Sequence, residues 1–98
     1  MKINTAAVHA GRNNLGQAHV PAIDLSTTYK TRNLAVATDS IDQMASGQPP
    51  KEAFIYQRLY NPTVARFEQA LAKLEDADAA VSFSSGMAAI TAALLAAK

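Results

Sequence analysis

The sequence predicts an α/β unit preceded by an arm with little regular structure of its own. Three observations carry that prediction. An amphipathic pattern follows Asn61-Pro62, and a short apolar run from Ala79 leads through Ser84-Ser85-Gly86 into a second helical pattern. Helix, strand and helix in that order are the local signature of a parallel sheet covered by helices. From residue 1 to about 53, by contrast, apolar periodicity is weak, which is unusual inside a self-contained compact domain.

In chain order, Thr5-Ala6-Ala7-Val8-His9-Ala10 suits a helical turn closed by Gly11, and Arg12 to Gln17 is polar and loop-like. Ile23, Leu25, Thr27 and Tyr29 alternate with Asp24, Ser26 and Thr28, the pattern of an extended segment with one face covered. Asp39 is the expected cap of a short helix over Ser40 to Ser46, ended by Gly47. Gln48-Pro49-Pro50 then enforces an extended turn, because proline disfavours helix in the residue before it. Val20, Ile23, Leu25 and Tyr29 are apolar anchors that a solvated tail does not need, so residues 1–53 read as an arm that packs on something else.

The second half is more strongly punctuated. Asn61 is a favoured N-cap, Pro62 suits the first helical position, and Val64, Phe67, Leu71 and Leu74 fall at spacings of 3, 4 and 3. The helix is predicted from Pro62 to about Glu75, with Asp76-Ala77-Asp78 linking it to a strand over Ala79 to Phe83. Met87, Ile90 and Leu94 recur at helical spacing in the last element, whose alanines favour helix and allow close packing on both sides. A parallel strand is buried on both faces and needs neighbours, and only one candidate of that type occurs here. The 98 residues therefore read as the front portion of a longer, interrupted chain.

Composition narrows the function classes. Nine basic and eight acidic side chains leave a formal charge of +1 with no basic run, so nucleic acid is not an expected partner. There is no cysteine, and His9 and His19 alone make a poor ligand set, so neither a disulfide framework nor a metal centre is expected. The start Met1-Lys2-Ile3-Asn4 lacks the apolar core of a signal peptide, and no stretch is long enough to span a bilayer. A cytoplasmic protein with no membrane partner is the expectation.

Two places carry recognisable chemistry. The first N–H groups of a helix have no partner within it, and aligned peptide dipoles add about half a positive charge there, so an anion docks readily. Ser84-Ser85-Gly86-Met87 provides such a start, with Gly86 letting the backbone come close. Upstream, Tyr56 and Arg58 lie two residues apart and share a side if that stretch is extended. A phenol donor and a guanidinium that never loses its charge make a phosphate clamp; the plainer alternative is two ordinary surface residues.

The order of these blocks resembles the N-terminal region of the pyridoxal-phosphate (PLP) enzymes of cysteine and methionine metabolism. The matching residues are Thr5-Ala6-Ala7-Val8-His9-Ala10-Gly11, Pro21-Ala22-Ile23 with Ser26-Thr27-Thr28-Tyr29, Tyr56-Gln57-Arg58 with Asn61-Pro62-Thr63, Leu71-Ala72-Lys73-Leu74-Glu75, and Ser84-Ser85-Gly86-Met87-Ala88-Ala89. The family includes cystathionine γ-synthases and lyases, methionine γ-lyases and O-acetylhomoserine sulfhydrylases. The resemblance implies fold type I, with residues 1–53 as an arm on a partner subunit and residues 54–98 as the start of the PLP-binding large domain, incomplete as given.

The resemblance also implies roles. Gly86 and Met87 match the backbone amides that bind the cofactor phosphate, and Tyr56 and Arg58 match the pair that reaches that phosphate from a neighbouring identical subunit in a homodimer or tetramer. The Schiff-base lysine lies later in the family. None of Lys2, Lys30, Lys51, Lys73 and Lys98 sits in the family's lysine motif, so no catalytic residue is assigned here and the chain is expected to be inactive alone. Two other classes stay open: a non-catalytic helical assembly module and a stand-alone phosphate binder.

Overall fold

The computed structural model describes residues 2–97. Among them the regular elements are α1 (Ile3–His9), α2 (Leu34–Ala45), α3 (Pro62–Leu74) and α4 (Gly86–Ala96). The chain divides into two units, one of Met1–Asn13 with Arg66–Lys98 and one of Asn14–Ala65.

In the first unit, α1 delivers Ala6 to a buried position and is followed, after its C-cap Ala10, by a left-handed Gly11 with φ at +75°. A Cβ on Gly11 would stand 2.7 Å from the Arg66 carbonyl oxygen, so both the backbone angle and the close approach to α3 require glycine. Arg66 answers from α3, donating to the Gly11 carbonyl at 3.0 Å and also to that of Asn13. The expected turn closed by Gly11 is therefore present, lengthened to seven residues.

α3 forms where Asn61-Pro62 predicts it, and the Asn61 side chain accepts from the Val64 N–H at 3.0 Å. Its C-terminal end is a Schellman closure: Ala77 donates to the Ala72 carbonyl at 2.9 Å and Asp76, at φ +52°, to that of Lys73.

The α/β expectation meets a correction in the next segment. Ala79–Phe83 carries no strand, and no sheet exists among the described residues. The physical reason is the lack of a neighbouring strand: the Ser82 N–H and hydroxyl turn instead to one carboxylate oxygen of Glu68 on α3, at 2.9 and 2.7 Å. The helix–strand–helix of the prediction is thus helix, irregular segment, helix.

In the second unit, α2 is longer than predicted and starts earlier. Asn33, not Asp39, is its cap, its side chain accepting from the Ala35 and Val36 N–H groups at 3.0 and 3.3 Å. Asp39 lies inside the helix. Gly47, at φ +82°, follows the C-terminal end, as expected.

The extended segment expected at Ile23 to Tyr29 pairs with the later part of the same unit only briefly. Thr28 and Tyr56 form an isolated antiparallel bridge, made by Tyr29 donating to the Ile55 carbonyl at 3.1 Å and Gln57 to that of Thr27 at 2.8 Å. The expected covered face is not found: Ile23 is 75 % exposed and Leu25 85 %. Alternation shows which residues share a face but cannot supply the surface that covers it.

Candidate functional site

The expected anion-binding element is the start of α4. Ser85 takes an extended conformation and caps the helix, its side chain accepting from the Ala88 N–H at 3.1 Å, while its carbonyl accepts from Ala89 at 3.2 Å. That uses the third and fourth amides of the first turn. The Gly86 and Met87 N–H groups are left with no acceptor among the described residues. No acidic side chain occupies the first turn to compete for them.

Gly86 sits in open space, with nothing within 4 Å of where its Cβ would be and no left-handed backbone angle. Nothing in the chain's own packing demands glycine there, unlike Gly11. Two free amides, a dipole end and an uncrowded approach fit a phosphate group.

The second element is the pair expected to clamp. The Arg58 guanidinium donates to the Tyr56 phenol oxygen at 3.2 Å and lies 5.3 Å from the ring centroid. The two residues meet, but not by strand alternation. After the bridge at Tyr56 the chain turns, with the Tyr56 carbonyl accepting from Leu59 at 3.0 Å and Tyr60 at 3.1 Å. The turn folds Arg58 back over the ring of the residue two before it. No carboxylate pairs with Arg58 among the described residues, so its charge is uncompensated. Gly86 and Met87 belong to the first unit, and Tyr56 and Arg58 to the second.

The structure also shows residues around Tyr56 that sequence reasoning missed. The Asp24 carboxylate accepts from the Ser26 N–H and from the Tyr29 hydroxyl, each at 2.8 Å. The Asp24 N–H in turn donates to the Thr63 hydroxyl at 2.8 Å, in the first turn of α3. These bonds act on the ionisation of both side chains. The Ser26 backbone and hydroxyl, then the Tyr29 hydroxyl, hold the Asp24 carboxyl below its ordinary value. Withdrawal from water, then the Asp24 carboxylate, pushes the Tyr29 phenol up to about 12. Asp24-x-Ser26 has the spacing of an Asx turn, the one local signal that could have marked the site.

Among the described residues, no helix is long and apolar enough to cross a membrane, and no group of three or more His, Asp or Glu side chains could hold a metal ion.

Comparison with known proteins places these elements in a family. The chain is 54 % identical to an L-methionine gamma-lyase of Brevibacterium sandarakinum over 101 residues, which is 99 % of this chain and 26 % of that protein. It is 51 % identical to an L-methionine gamma-lyase of Streptomyces avermitilis over 96 residues, covering 95 % of this chain and 23 % of the relative. An O-succinylhomoserine sulfhydrylase of Pseudomonas aeruginosa is 36 % identical over 93 residues, covering 94 % and 22 %. The chain thus spans about a quarter of the length of the curated relatives it matches. With the Cys/Met metabolism PLP-dependent enzyme family matched over residues 4–97, the chain belongs to that family.

Proposed function

We propose that these residues are the arm and the start of the PLP-binding large domain of a trans-sulfuration enzyme that acts on L-methionine, and that they supply its phosphate site. The observation that carries the reading is the 54 % identity to an L-methionine gamma-lyase along 99 % of the chain. Residues 1–53 form the arm on a neighbouring identical subunit, and residues 54–98 begin the α/β domain. Ala79–Phe83 takes strand form once parallel neighbours flank it.

PLP, when bound, stabilises the carbanion at the substrate Cα on which β- and γ-elimination or replacement depend. The chain's own residues hold and orient the phosphate. The Gly86 and Met87 N–H groups donate to phosphate oxygens at the positive end of α4, and Ser85 keeps that end ordered by capping Ala88. From the neighbouring subunit, Arg58 supplies a charged fork and Tyr56 a hydroxyl donor, their mutual contact fixing the direction in which both reach. Covalent attachment and proton transfer at Cα fall to residues outside these 98, which makes the isolated chain a phosphate holder without turnover.

A chimaera tests the reading. Residues 4–97 replace the matching segment of the Brevibacterium sandarakinum enzyme, and PLP content and thiol release from L-methionine are measured. The chimaera retains PLP and releases thiol. Arg58→Ala in it weakens PLP affinity by about ten- to a hundredfold, the scale of one lost charge-assisted hydrogen bond. Unchanged affinity in that variant overturns the clamp assignment.

A further inference from the structure

Around the Tyr56–Arg58 pair the second unit closes a ring of contacts that neither the bridge nor the turn alone would make. Tyr29 is its hub. Its N–H donates to Ile55 next to Tyr56, its ring meets the edge of Phe54 at 5.3 Å, and its hydroxyl donates to Asp24 at 2.8 Å. Phe54 in turn stacks on Tyr60 at 5.5 Å, beyond the turn that carries Arg58. Asp24 closes the ring by donating its N–H to Thr63 at the start of α3. Residues 54–63 are therefore fastened on both sides of the pair, before it at Phe54 and Ile55 and after it at Tyr60 and Thr63.

We infer that Asp24 and Tyr29 are positioning residues for the Tyr56–Arg58 phosphate clamp. The inference rests on the clamp reading proposed above and assigns neither residue a contact with the cofactor. Two flexible side chains bind a phosphate well only if their geometry is fixed beforehand, since the ordering otherwise opposes binding. The Tyr29 hydroxyl ties the ring of aromatic contacts to the Asp24 side chain, and through Asp24 to Thr63. Without it, Tyr29 keeps its backbone bond to Ile55 but loses the link from there to Thr63.

The chimaeric enzyme also serves as the test, with PLP and pyridoxal, which lacks the phosphate, as probes. Tyr29→Phe and Asp24→Asn each weaken PLP affinity by about three- to tenfold, the effect of one lost hydrogen bond, and leave pyridoxal affinity unchanged. In a double-mutant cycle, Tyr29→Phe costs less once Arg58 is alanine, because part of its effect runs through that side chain. Equal weakening of PLP and pyridoxal, or full additivity with Arg58→Ala, makes the role merely structural and overturns the inference. If Arg58→Ala weakens PLP binding while Tyr29→Phe and Asp24→Asn do not, the inference fails and the clamp stands. If Arg58→Ala itself has no effect, the clamp reading fails first.

Discussion

The Tyr29 phenol stands partly withdrawn from water, which disfavours its charged form, and it also donates to the Asp24 carboxylate, so ionising it would in addition put two negative charges at hydrogen-bond distance. That is why its ionisation is pushed up to about 12, above the ordinary 10.0. Because the folded value is the higher one, the stabilisation is complete below pH 10 and is lost as the pH rises towards 12. Asp24 has the opposite sign: held below 3.8, it contributes above that pH and loses its contribution in acid. Between those limits the pair imposes no pH dependence. Ultraviolet titration of the chimaera against its Tyr29→Phe variant should therefore differ by a phenol that ionises near pH 12; a difference centred near 10 would show both the withdrawal from water and the Asp24 contact to be absent in solution. At this scale the sequence was readable only where partners are close. Tyr56 and Arg58 were legible from their spacing, although a turn and not a strand unites them, whereas the Asp24 to Thr63 bond spans 39 positions and no local pattern announces it.

Among the elements, the caps decided what could be read. The Asn61 cap with Pro62 placed the start of α3, because a cap is a contact between residues two or three apart, while the Ser84-Ser85-Gly86 turn placed that of α4, where Ser85 proves to be the cap. The start of α2 differs from the expectation because both Asn33 and Asp39 are acceptable caps, and Asn33 is the one that binds amides, those of Ala35 and Val36. The strand expected at Ala79–Phe83 is absent among the described residues, since a strand exists through neighbours. The cap of α4 can be separated from the proposed anion site by experiment. In the chimaera, Ser85→Ala removes the acceptor of the Ala88 N–H and should lower stability in a thermal or denaturant melt by about 1 kcal/mol. Ser85→Asp restores the acceptor, and with it the stability, but places a negative charge beside the Gly86 and Met87 amides. In the chimaera it should melt like the parent and yet bind PLP more weakly. Equal PLP affinity in the aspartate variant would show that the phosphate does not approach this end of α4.

For the whole molecule, the decisive quantity is how little apolar surface the chain buries. Ala6, Ala37, Ser40 and Pro50 are its buried residues among those described, and none carries a large side chain. Phe67 and Leu71 on α3, and Met87, Ile90, Leu94 and Leu95 on α4, are all exposed. α4 has no charged residue between Gly86 and Ala96, and a helix apolar all round is normally enclosed on every side. Burial stabilises by roughly 25 cal/mol per Å² of apolar area, whereas ordering costs about 1–2 kcal/mol per residue, so alanine-sized burial cannot hold a cooperative fold. The isolated 98-residue chain should then bind the dye ANS strongly and melt over a broad range without a sharp heat-absorption peak. The same residues inside the chimaera should lose the dye signal, because α3 and α4 gain the apolar neighbours they lack alone. A sharp, reversible melt of the isolated chain with no dye binding would mean that these helices bury one another in solution, and that the exposed faces are not surfaces awaiting a cover.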